Sequence, residues 1–182
     1  EAPDALIRRI SNEMLDKIGL TKKDSDGYRL RNDGKGRLRL EMITVGGQFV
    51  PYTQVGEMVK QQWRKIGVDL DVKELERNLA FTRDNGSENQ MITWANDGSE
   101  MLFLFPRHAL PVDAAESHMG MAFAKWYASR GASGKKPDDP EMIRAFDLFR
   151  NAFGMKEEDR VKAAKEIWKI IAEQAWSIGT VG

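Results

Sequence analysis

Apolar residues recur at helical spacing from Ala5 to Ile18, through Leu6, Ile10, Met14 and Leu15. Pro3 and Asp4 stand where a helix opens and Gly19 where it is capped, so the pattern predicts a first helix. Two turn-rich stretches follow, Asp24-Ser25-Asp26-Gly27 and Asn32-Asp33-Gly34-Lys35, around the short run Tyr28 to Leu30. Asx-Gly pairs favour tight reversals, which predicts a β-hairpin whose second arm is a long strand over Leu38 to Val45.

That strand runs into Gly46-Gly47-Gln48. From Pro51 the period returns to helical, with Val55, Met58, Val59, Gln62, Trp63 and Ile66 on one face and Gly67 at the end. Val68 to Val72 alternates apolar and polar residues as a half-buried strand does. A helix over about Leu75 to Asp84 and a third strand over Met91 to Trp94 complete two βαβ units. Such units imply parallel pairing and right-handed crossovers. A polar turn from Asn96 to Ser99 and an apolar segment from Met101 to Phe105 come next.

The second half reads as helical. Helices are predicted over Met119 to Arg130, from Pro140 behind an Asp138 or Asp139 cap, and over Lys156 to Trp176. Ile143, Phe146, Leu148 and Phe149 mark the inner face of the second, and Val161, Ala164, Ile167, Trp168 and Ile171 that of the third. The sum is one α/β domain over residues 1–182: a mixed sheet with a parallel βαβαβ core and a helical C-terminal half.

Composition narrows the function. Lys+Arg and Asp+Glu both count 28, a formal net charge of +0, and no basic tract is dense, so nothing points to nucleic acid. With no cysteine, disulfides, thiolate zinc sites and a cysteine nucleophile are excluded. No apolar run approaches the roughly 18 residues of a membrane span. The chain opens at Glu1 without an initiator Met and closes on Thr180-Val181-Gly182, a strand-like approach, which is expected of a piece of a longer protein.

Ligands of open parallel sheets sit beyond the carboxyl ends of the strands. Here those ends are Gly46-Gly47-Gln48, Glu74-Leu75-Glu76-Arg77 and Trp94-Ala95-Asn96-Asp97. Trp94 offers a stacking surface, Asn96 and Gln48 amides that donate and accept, and Asp97 an acceptor carboxylate. They are the candidate ligand-binding residues. The same residues also read as a plain turn over Asn96-Asp97-Gly98 beside a core tryptophan.

Catalysis, cofactors and metals find no support. Gly46-Gly47 lacks the spacing of a phosphate loop, and Ser99 and Ser133 lack a nucleophile-elbow frame. His108 and His118 lie too far apart in sequence for a recognised metal motif, and Lys35 stands where a calcium loop needs glutamate.

Several stretches, taken together and in order, resemble a known family. They are Leu15-Asp16-Lys17-Ile18-Gly19-Leu20, Asp26-Gly27-Tyr28-Arg29-Leu30 with Asp33-Gly34-Lys35, and Val59 to Val68. The Trp94 to Asp97 turn, Trp126-Tyr127-Ala128-Ser129-Arg130-Gly131 and the ending Trp176 to Gly182 continue the series. The series resembles the C-terminal lobe of family 5 extracytoplasmic solute-binding proteins, the oligopeptide/dipeptide type that serves ABC importers. The resemblance implies a two-lobed periplasmic-binding-protein fold with a separate N-terminal lobe, located in the periplasm or outside the cytoplasm. It implies a ligand trapped between hinged lobes, a peptide or similar small polar solute, and delivery to a membrane permease.

In peptide-binding relatives, an aspartate three positions after the strand tryptophan pairs with the ligand's α-ammonium, the spacing of Asp97 from Trp94. Those relatives often continue with an acidic-Pro pair, whereas here Gly98-Ser99-Glu100 follows and the next proline is Pro106. The stretch from Trp126 to Gly131 and the ending Ile178 to Gly182 resemble members whose ligands are oligosaccharides or unassigned. An oligosaccharide receptor of the same fold, or a ligand-sensing domain not tied to transport, is the alternative expectation.

Overall fold

A computed structural model describes residues 2–96, 98 and 100–179. The chain divides into two compact units, the first comprising Glu1–Ala80 with Asn89–Thr93 and the second Phe81–Glu88 with Trp94–Gly182.

The first unit is built on a three-stranded sheet in the order β2-β1-β3, where β1 is Arg39–Val45, β2 Asp69–Leu75 and β3 Met91–Ile92. Both pairings are parallel, with Arg39 opposite Asp69 through Val45 opposite Leu75, and Met42 and Ile43 opposite Met91 and Ile92. The crossover helix α2, Tyr52–Arg64, ends with Lys65 as its C-cap, earlier than the expected Gly67, which follows with a positive φ of 85°. It comes close to the sheet because Gly56 has no side chain. A Cβ there would lie 3.0 Å from Val72 Cγ1 and 3.2 Å from Thr44 Cγ2. Met42, Ile43, Val45, Val68 and Leu70 form the apolar interior, so β1 is buried over its carboxyl half and exposed where it begins.

The predicted hairpin is reduced to two isolated antiparallel bridges, Lys23 with Arg29 and Leu30 with Arg37. Its architecture depends on Arg29, only 1% exposed. The guanidinium donates to Asp16 Oδ1 at 2.5 Å, Asn12 Oδ1 at 2.6 Å and the Ile66 carbonyl at 2.8 Å, and also to the Leu20 carbonyl. One buried cation thereby ties the end of helix α1, Pro3–Lys17, to the end of α2. This compensates for a difference from the sequence reading. The apolar stripe of α1 forms as predicted, yet none of its residues is buried, and Ile10, Met14 and Ile18 are exposed.

Two further expectations are corrected. The third strand stops at Ile92 rather than Trp94: the Thr93 amide still donates to the Ile43 carbonyl at 3.0 Å, but Trp94 joins an aromatic cluster instead of the ladder. On the predicted inner faces, Met58 and Val161 are 66% and 47% exposed, because neither helix is covered there.

Helix α3, Arg77–Asn85, begins in the first unit and ends in the second. The second unit contains α4 (Met121–Ala128), α5 (Pro140–Ala152) and α6 (Glu157–Gln174). Asp139 caps α5 by accepting the Glu141 amide at 2.9 Å, with Pro140 in the first turn. Met142, Ala145, Phe146 and Phe149 of α5 pack with Ile167, Ile170 and Ile171 of α6. The irregular chain after Trp94 contributes Leu102, Leu110 and Val112 to the same core, and Trp168 and Trp176 pack against it.

Candidate functional site

In the first unit, the carboxyl ends of β1 and β2 meet the start of α2 around a cavity of about 150 Å³, lined among others by Gln48, Tyr52, Thr53 and Glu74. Gln48 is half-buried, and its side-chain amide donates to the Gly46 carbonyl at 3.3 Å. Buried Thr44 shares a hydrogen bond with Thr53 at 2.9 Å, and the Thr53 hydroxyl donates to Glu74. This chain of polar groups holds Glu74 across the Gly46 turn. Burial pushes the Tyr52 phenol above its usual value, so it is a neutral donor at physiological pH. The cavity can therefore offer donors, acceptors and one carboxylate to a polar solute.

A larger groove of about 430 Å³ lies near the opposite, amino ends of the strands, beside Arg31, Asn32, Leu40 and Gln90. There Gln90 Oε1 accepts the Glu41 amide at 2.7 Å, a side chain supplying the acceptor that short β3 does not.

In the second unit, half-buried Trp94 lies 4.9 Å from Phe81 and 5.5 Å from His118 between ring centroids, edge-on to both. His118 stacks on Phe81 at 4.7 Å and 27°. Its Nδ1 is 2.7 Å from Oδ2 of Asp84, a carboxylate buried at the end of α3. Asn96 is exposed, and Asp97 lies outside the described residues. Trp94 thus carries both readings at once, partly packed and partly open.

In the sequence, His118 reads only as a candidate metal ligand with His108. The structure pairs His118 with Asp84 and sets His108 beside Arg107 Nε at 3.2 Å. Among the described residues, no group of three or more His, Cys, Asp or Glu side chains is placed to hold a metal ion. Glu74 stands at a strand end that the sequence marks, whereas Phe81, Asp84 and Thr53 carry no local signal, since their contacts join distant parts of the chain.

No protein-family model matches the chain, and no curated protein matches it significantly. Solved structures do. The oligopeptide-binding protein OppA is 28% identical over 96% of this chain and 29% of its own, with a TM-score of 0.81. This chain has the fold of one lobe of a periplasmic binding protein. The lobe also resembles the periplasmic binding protein MelB of Agrobacterium fabrum C58, in complex with stachyose. There the identity is 18%, the coverage 94% of this chain and 25% of that one, and the TM-score 0.77. A periplasmic oligopeptide-binding protein of Thermotoga maritima, bound to mannohexaose, gives 16%, 93%, 29% and 0.65. At those two identities the likeness is one of fold. The lobe spans between 25% and 29% of the length of these three chains. They are binding proteins rather than enzymes. Among the described residues, no helix is long and apolar enough to cross a membrane.

Proposed function

We propose that residues 1–182 form the C-terminal lobe of an extracytoplasmic solute-binding protein of an ABC importer. In this reading a peptide or similar small polar solute is captured together with a second, N-terminal lobe and handed to a membrane permease. The observation that carries it is the match to the oligopeptide-binding protein over 96% of the chain at a TM-score of 0.81. The strand order supports it: β1 is central, and the crossover from β2 to β3 passes over it. Ligands of open parallel sheets gather at the carboxyl ends beside such a switch. Gln48 follows β1, and Trp94, Asn96 and Asp97 follow β3 in sequence; each is proposed as a ligand contact. Asp97 would pair with an ammonium or a hydroxyl.

A second reading, an oligosaccharide ligand, is favoured by Gly98-Ser99-Glu100 in place of an acidic-Pro pair. The stachyose and mannohexaose bound to two of the similar structures favour it too. Native mass spectrometry of the protein purified from its own host tests the proposal. A co-purifying peptide or oligosaccharide is expected; a tightly held nucleotide, or turnover of a supplied peptide or sugar, would contradict it.

A further inference from the structure

Asp84 is 4% exposed, and one oxygen of its carboxylate lies 2.7 Å from Nδ1 of His118, whose ring stacks on Phe81. Burying a carboxylate is costly unless a partner compensates, and an apolar replacement of such a pair is often as stable. What an aspartate–histidine pair supplies and an apolar pair does not is direction. The hydrogen bond from Nδ1 of His118 to Oδ2 of Asp84 fixes the imidazole plane, and Phe81 supports that plane from one face at 4.7 Å. Ser117, fully buried, anchors the backbone just before it: its hydroxyl donates to the Leu110 carbonyl at 3.3 Å and accepts the Asp113 amide at 3.1 Å. Both supported rings meet Trp94 at 62° and 77°.

We infer that Asp84 and His118 are positioning residues that fix the indole plane of Trp94 for its contact with a polar ligand. The inference rests on the reading of Trp94 as a ligand contact. It adds that the indole reaches its ligand in one orientation, set by a carboxylate–imidazole pair that itself touches no ligand. Edge-on aromatic contacts are sensitive to ring direction. Loosening the imidazole therefore lets the indole rotate and spend binding energy on being reordered.

A double-mutant cycle tests this. The 15N-labelled 182-residue chain is titrated with a nonapeptide and separately with stachyose. Affinities are read from the backbone amide shifts of Ala95 and Asn96 in wild type, Trp94→Ala, His118→Ala and the double variant. His118→Ala is expected to weaken binding about five- to tenfold in the wild-type background and less than about twofold in the Trp94→Ala background, the signature of acting through a neighbour. Equal loss in both backgrounds overturns the positioning role and leaves Trp94 as a ligand contact. Unchanged binding in Trp94→Ala, or no shift with either probe, overturns the reading of Trp94 itself. Should His118→Ala not fold, the near-isosteric Asp84→Asn takes its place, with the same dependence on Trp94 expected. In the unliganded chain, nuclear Overhauser contacts between the Trp94 ring and Phe81 should weaken in either variant; contacts of wild-type strength would also contradict the inference.

Discussion

Glu74 lies across Gly46 so closely that a Cβ on the glycine would sit 2.8 Å from Oε1 and 3.1 Å from Cδ. The Thr53 hydroxyl holds the carboxylate and Thr53 is itself linked to Thr44, so making room for a Cβ gives up that hydrogen bond. Gly46→Ala should therefore destabilise the chain by about 0.5–1.5 kcal/mol, the net worth of one hydrogen bond. Urea unfolding checks the loss. Combining it with Glu74→Ala, which removes the obstructing atoms, should recover much of it, and additive losses would show that Glu74 is not the obstacle.

Arg29 and Asp16 give a test of magnitude. The arginine is 1% exposed in its side chain and the aspartate 52%. Removing the arginine leaves Asn12 and the carbonyls of Leu20 and Ile66 without their donor, so Arg29→Ala should cost about 3–5 kcal/mol. Removing the aspartate leaves the buried guanidinium its neutral acceptors but takes away this carboxylate, so Asp16→Ala should cost less, about 1.5–3 kcal/mol, the scale of a hydrogen bond to a charged group. Equal shifts in the urea midpoint would contradict this division.

Acid should loosen the first unit. Burial raises the Asp24 carboxyl, but the Tyr28 amide and the Arg37 guanidinium outweigh it and leave it below the usual range. Asp33 is lowered chiefly by its hydrogen bond to Arg31. For a depressed carboxyl, the stabilisation is complete above the unfolded value, about pH 4, and fades as pH falls through the folded value. Stability measured between about pH 6 and pH 2 should fall, and Asp24→Asn should make that fall shallower. An unchanged slope would contradict the assignment.

The proposal that residues 1–182 act as one lobe predicts a single unfolding transition. Trp63 lies in the first unit, while Trp94, Trp126, Trp168 and Trp176 lie in the second. With fluorinated tryptophan, all five signals should disappear at one urea concentration. A separate midpoint for Trp63 would mean two independent domains.

The parallel sheet and helices α2, α5 and α6 were legible in the sequence because periodicity and capping residues act locally. Asp139-Pro140 announced a helix start, and the cap bond to Glu141 is there. The length of β3 was not legible, since Met91 to Trp94 reads as one apolar run, while the tryptophan meets Phe81 and His118, distant in sequence. The partnership of Asp84 and His118 joins residues 34 apart, a distance at which no spacing rule operates. The α1 stripe shows the opposite limit. Its pattern predicts a helix correctly, but a pattern says nothing of whether the rest of the chain covers the face.

In the proposed function, a polar solute meets residues that follow β3 in sequence, Trp94, Asn96 and Asp97. The most direct test is an amide-shift titration of the 182-residue chain, wild type and Asp97→Ala, with a nonapeptide and with stachyose. Binding by one lobe should be weak, with shifts concentrated over residues 94–97 and at the Gln48 side chain. Asp97→Ala should weaken an amine-bearing ligand by about 1.5–3 kcal/mol, the scale of a charge-assisted hydrogen bond. Shifts confined to the groove beside Arg31 and Gln90, or unchanged affinity in Asp97→Ala for both probes, would contradict the account.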